Sequence, residues 1–159
     1  MKNQALITVL ASLLVAPLAH SAEYREASTD YGKARGFGRA VVTEGGRHVW
    51  LAGQTALVDL DGKDISFNFE AQMRTIFTQI DRTLRLEGGS IKDLVKYTIY
   101  LKDPRNGPRA SEIRVETFKD TGRYPGSALI TIANFAEPGM MVAIQGDAVI
   151  GDTYQDKKK

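Results

Sequence analysis

Few side chains in this sequence could do chemistry unaided. It carries two histidines, His20 and His48, and no cysteine. A disulfide, a thiolate metal site and a cysteine nucleophile are therefore excluded. His20 lies in a segment expected to be removed, which leaves His48 alone, and one histidine cannot build a multi-histidine metal site. His48 borders Gly45-Gly46 and reads as a surface residue. Asp59, Asp61 and Glu70 echo the spacing of a calcium loop. The glycine is misplaced, however, Lys63 occupies a ligand position, and Glu70 falls inside a helical pattern, so a plain turn is expected. Gly36-Phe37-Gly38 lacks the strand–loop–helix setting of a phosphate cradle and reads as a bend. Residue types alone give no reaction.

The elements that must position any site are clearer. Arg39 to Ala56 holds two β-rich runs around Gly45-Gly46, a hairpin signal. Phe69, Met73, Ile76, Phe77, Ile80 and Leu84 recur three or four apart and predict a helix. Ser66 or Asn68 can cap its start, and Gly88-Gly89 ends it. Val95 to Leu101 alternates apolar and polar residues as a half-buried strand does. Pro108 opens a second helix to about Phe118, with a weaker pattern of Ala110, Ile113, Val115 and Phe118. Strands near Ser127 to Asn134 and Met140 to Ile150 follow, around a turn at Glu137-Pro138-Gly139. The order β-β-α-β-α-β-β predicts an α+β sandwich, one sheet covered by two helices. Ile130, Ile132, Val142, Ile144 and Val149, with Val42, Trp50 and Leu51, are many apolar residues for a sheet with one open face. Burial of that face in an oligomer is expected.

The N-terminus reads as a secretory signal peptide over 1–22. Lys2 precedes an apolar run from Ala5 to Leu18, and Ala19-His20-Ser21 supplies small residues for cleavage. The run is shorter than the roughly 20 residues that span a bilayer. A periplasmic or secreted protein, with no membrane attachment after cleavage, is expected. An extended lead-in at 23–36, a domain at 37–151 and a polar lysine tail at 152–159 complete the division. Loss of Lys2 lowers the formal charge of +2 by one, and three further positive charges sit in the tail. The body therefore has no basic excess for nucleic acid.

Three longer strings carry a resemblance: VWLAGQTALVDLDGK, FEAQMRTIFTQIDRTLRLEGGSIKDLVKYTIYLKD and YPGSALITIANFAEPGMMVAIQGDAVI. In order and spacing, from about Gly36 to Ile150, they resemble the RidA/YjgF family of reactive-imine deaminases. The resemblance implies a chorismate-mutase-like (YjgF-like) fold, a homotrimer with clefts between subunits, and a small-molecule ligand. It implies hydrolysis of a small imine or enamine to a keto compound and ammonia, without a cofactor. In active members an arginine two residues after the proline of the Tyr-Pro string holds the substrate carboxylate, and a water ordered by polar groups attacks the imine carbon.

This chain departs from that pattern at five positions. Ser127 stands where the resemblance implies the arginine, Phe37 where it implies a tyrosine, and Ala52 where it implies a serine. Ser111 stands for an asparagine, allowing one deleted residue, and Ala143 for a late glutamate. A hydroxyl cannot replace a bidentate guanidinium. Arg123 and Arg39 are candidates to compensate. Gln145 and Asp147 share the strand face of Ala143 and are candidates to hold a water, with Asp147 as general acid or base. Two functions remain open: a divergent exported imine hydrolase, or a non-enzymatic trimer that binds a small ligand or a partner on the same scaffold. A guanidinium within reach of Ser127 would decide whether carboxylate binding survives.

Overall fold

A computed structural model describes residues 22–27 and 29–154. The segment expected to be a signal peptide, apart from Ala22, together with Ser28 and residues 155–159 of the tail, lies outside the described residues. Among the described residues, no helix is long and apolar enough to cross a membrane.

The helix expected from the apolar stripe is α2, Phe69–Leu86. Its N-cap Asn68 accepts a hydrogen bond from the Ala71 amide at 3.1 Å, which satisfies one of the free donors of the first turn. Gly88, at φ 78°, provides the left-handed residue just past its end. The stripe is fully engaged: Met73, Ile76, Ile80 and Leu84 have no exposed surface. Gln72 is equally buried, and its amide is satisfied on both sides. It donates to the carbonyls of Ile65 and Gly139 and accepts from the Met141 amide, which ties the start of α2 to two loops.

β4, Leu94–Leu101, runs through the helix α3, Gly107–Phe118, into β5, Gly126–Thr131. β4 and β5 are parallel, so the chain needs a crossover, and α3 supplies it. β3, Arg47–Gln54, and β6, Val142–Ile150, complete a mixed sheet in the order β3-β6-β4-β5. Helices α2 and α3 cover one face, which confirms the α+β sandwich. Their clamp is apolar beneath and ionic at the rim. Phe77 and Phe118 pack around Tyr97, with Tyr97 and Phe118 stacked at 5.7 Å. Outside, Arg74 and Arg109 join Glu70 of α2 to Glu116 of α3.

The structure differs from expectation in three places. Val142 and Ile144 do not lie on the open face: both are fully buried in the core beneath the helices, whereas Val149, paired with His48, shares the face of Asp147 and is 2% exposed. Strand alternation separates two faces but does not say which one meets the helices. The open face carries Trp50 (73% exposed) and Ile130 (45%), beside Lys96, Thr98, Gln145 and Asp147. The hairpin also splits. β2, Ala40–Val42, pairs with β1, Glu23–Arg25, in a separate two-stranded sheet, and β3 starts anew at Arg47. Lastly, the segment read as an extended lead-in forms β1 and a five-residue helix α1, Asp30–Ala34, whose N-cap Thr29 accepts from the Gly32 amide. One helical turn shows no apolar period, so pattern reading misses it.

Candidate functional site

The carboxyl end of α1, the inner face of α3 and the start of β5 enclose a pocket of about 390 Å³. Tyr31 and Arg35 come from the first element, Ser111 and Arg114 from the second, and Ser127 from the third, with Phe37 between them. Phe37 is held by the backbone around it. Gly38 donates its amide to the Pro125 carbonyl and bridges Gly126, and a Cβ there would lie 2.6 Å from the Tyr124 carbonyl oxygen. Gly36 adopts φ 62°, and a Cβ on it would meet Val115 at 2.7 Å. The Gly-Phe-Gly string is thus more than a bend. It lets the backbone approach β5 closely, which only glycine permits.

Arg114 is the central group, and it is 3% exposed. Its Nε donates to the Arg35 carbonyl at 2.7 Å, and Nη1 donates to Ser127 Oγ at 3.3 Å. Nη2 reaches Ser111 Oγ at 3.5 Å, and the Phe37 ring lies 5.3 Å from the guanidinium carbon. None of the ion pairs among the described residues includes Arg114. The pocket lining contains no carboxylate. A buried charge is normally paired or neutralised. Burial accordingly pushes the Arg114 pKa down, the Tyr97 hydroxyl opposes that shift, and the charge of Arg35 adds to it. Tyr97 Oη lies buried beside Ser127 and Arg114 yet meets hydrogen-bond geometry to no described group. Burial raises its pKa above the usual tyrosine value.

Of the positions singled out in the sequence, Phe37, Ser111 and Ser127 converge on this pocket. The others do not line it. Asp147 faces a broader groove of about 590 Å³ on the open sheet face, with His48, Trp50 and Lys96. The groove and the pocket share Phe37 and Ser127 in their walls. Gln145 is exposed on that open face, in register with Thr98. Ala143 pairs with Tyr100, and Ala52 lies exposed within the β3 irregularity. Arg123 turns to β1: it sits 4.7 Å from the Tyr24 ring and donates to the Lys92 carbonyl. Arg39 is exposed at the edge of the groove. Neither supplies the guanidinium beside Ser127; Arg114 does. A signal for it was present in the sequence. In α3, Arg114 follows Ala110 by four residues and precedes Phe118 by four, so a charge stands where the stripe calls for an apolar side chain.

The family model described as Endoribonuclease L-PSP, Ribonuc_L-PSP, matches residues 31–150. Among curated relatives, a RutC family protein of Pyrococcus horikoshii, PH0854, is 27% identical over 100 residues, covering 57% of this chain and 79% of that one. A RutC family protein of Pyrococcus abyssi, PYRAB12510, is 28% identical over 76 residues, covering 48% of this chain and 60% of that one. Among solved structures, the conserved Rid family protein YyfB of Yersinia pestis superposes with a TM-score of 0.68 at 21% identity, covering 81% of this chain and 98% of that one. Rv2704 of Mycobacterium tuberculosis, a member of the YjgF/YER057c/UK114 family, gives 0.56 at 25% identity, covering 82% and 100%. With a family match across β2 to β6 and this fold agreement, the chain belongs to the Ribonuc_L-PSP (RidA/YjgF) family.

Proposed function

We propose that this protein, exported and assembled as a homotrimer, takes a small carboxylate-bearing imine or enamine into the Arg114 pocket and hydrolyses it. The observation that carries the reading is the Arg114 guanidinium, buried, without a carboxylate partner, and 3.3 Å from Ser127. A ligand carboxylate supplies the missing anion and can pair with it through charge-assisted hydrogen bonds. Ser127 and Ser111 present hydroxyls beside that cation, and a hydroxyl can both accept from a guanidinium and donate to a water. In the reaction, the water oxygen bonds to the imine carbon and one water proton goes to nitrogen. The carbon–nitrogen bond of the resulting carbinolamine then breaks, nitrogen takes the hydroxyl proton, and ammonia leaves a keto product.

A second reading, a non-enzymatic binder, has its own observation: the pocket wall holds no carboxylate or imidazole to move a proton. One assay separates the two. Imines are generated in situ from amino acids by an amino-acid oxidase, and ammonia release is followed with and without the mature protein. Hydrolysis above the spontaneous rate, for carboxylate imines only, is expected. Tight binding of the keto acid with no rate increase would establish the binder instead. Because Asp147 faces the neighbouring groove, Asp147→Asn is expected to change kcat/KM by no more than about twofold. A loss of two orders of magnitude would move the chemistry to that groove.

A further inference from the structure

We infer that the pocket is built for a dianion, with Arg35 holding a second carboxylate while Arg114 holds the first. This rests on the reading above that the pocket takes an anionic ligand. Several arginines elsewhere on the surface are held in ion pairs. Arg74 and Arg109 pair with Glu70, Arg105 with Asp103, and Arg47 with Glu87. Arg35 and Arg114 belong to no ion pair among the described residues, yet they line one pocket with no acidic wall.

Arg35 is also arranged to receive a ligand. Its guanidinium carbon lies 3.9 Å from the centroid of the Tyr31 ring. Stacking of this kind fixes the plane of the guanidinium and leaves its edge N–H groups free for an in-plane carboxylate. Tyr31 itself is 64% exposed, an aromatic side chain that the core does not use. The backbone locks the two arginines together, because the Arg35 carbonyl accepts from Arg114 Nε. Their charges oppose one another across the pocket, a repulsion that two ligand anions relieve and one relieves only in part. The class of ligand is therefore a short dicarboxylate, or an imino acid with a second carboxylate.

The test uses the mature protein and two probes of similar length, succinate and butyrate, titrated by calorimetry. Succinate is expected to bind about tenfold more tightly than butyrate, the gain of one charge-assisted contact. Arg35→Met is expected to narrow that gap to under about threefold by weakening succinate, whereas Arg114→Met weakens both probes. Thermal melts followed by circular dichroism confirm that each variant is folded. Equal binding of the two probes, with both lost in Arg114→Met, would overturn the dianion assignment and leave the anion pocket standing. Failure of both probes to bind the folded wild-type protein would overturn the two together.

Discussion

Replacing Arg114 by methionine is expected to abolish carboxylate binding while leaving the protein folded. The binding loss follows from the guanidinium's position beside Ser127 and Phe37, and a decrease of at least about a hundredfold is expected when a charge-assisted bidentate contact is removed. The stability change is smaller because two terms oppose. Methionine leaves the Arg35 carbonyl without its donor, which costs about 1 kcal/mol. It also removes a buried cation that lacks a counter-charge, and replacing such groups by apolar side chains of similar volume is often neutral or stabilising. The net change is expected within about 1 kcal/mol, read from urea or thermal unfolding. A folded Arg114→Met protein that binds carboxylates like the wild type would end the role assigned to this residue. The converse experiment places an arginine on β5. Ser127→Arg in the Arg114→Met background returns a guanidinium to the same pocket from the other wall, and partial recovery of binding is expected.

Gly146→Ala is expected to be among the most destabilising single-methyl additions in the chain. Gly146 lies in β6 between Tyr97 of β4 and Leu51 of β3. A Cβ there would stand 2.5 Å from the Lys96 carbonyl oxygen and 2.9 Å from Tyr97 Cβ. Backbone cannot swing aside as a side chain can, so the strands must separate or Tyr97 must move. Tyr97 is 1% exposed and packed against Phe77 and Phe118, with no space to accept it. A cost of about 3 kcal/mol is expected from such overpacking. Gly53→Ala is the control, since nothing lies within 4 Å of its Cβ position. Chemical denaturation of the two variants checks the contrast, and equal midpoints would contradict the tight strand contact. Because Tyr97 pairs with Ser127 across β4 and β5, a folded Gly146→Ala protein should also bind the pocket's ligand more weakly.

The regular elements were legible where a period ran long enough. The stripe of α2 spans several turns, and each apolar residue in it is buried as the spacing requires. From Lys96 to Leu101 β4 alternates cleanly because only one of its faces meets the helices, whereas Leu94 and Val95 are both buried at a register shift. Legibility failed at short or two-sided elements. The single turn of α1 and the three-residue strands β1 and β2 carry too few residues to show a period. Val142 and Ile144 are strand residues as expected but lie on the face that meets the helices, because alternation is symmetric between faces.

By itself the sequence determined the α+β class and the family. These are properties of residue order, and they hold whichever way the chain turns in space. Which cation stands at Ser127 was decided by the tertiary structure alone. The β4–α3–β5 crossover folds α3 back over the start of β5, so Arg114 meets a residue 13 positions later in the chain. The same packing brings Arg114 to the Arg35 carbonyl, 79 positions earlier. The order of residues says only what occupies one place in the chain, here a serine at 127. A pocket is assembled from several elements, and here the guanidinium enters it from the helix, not from the strand.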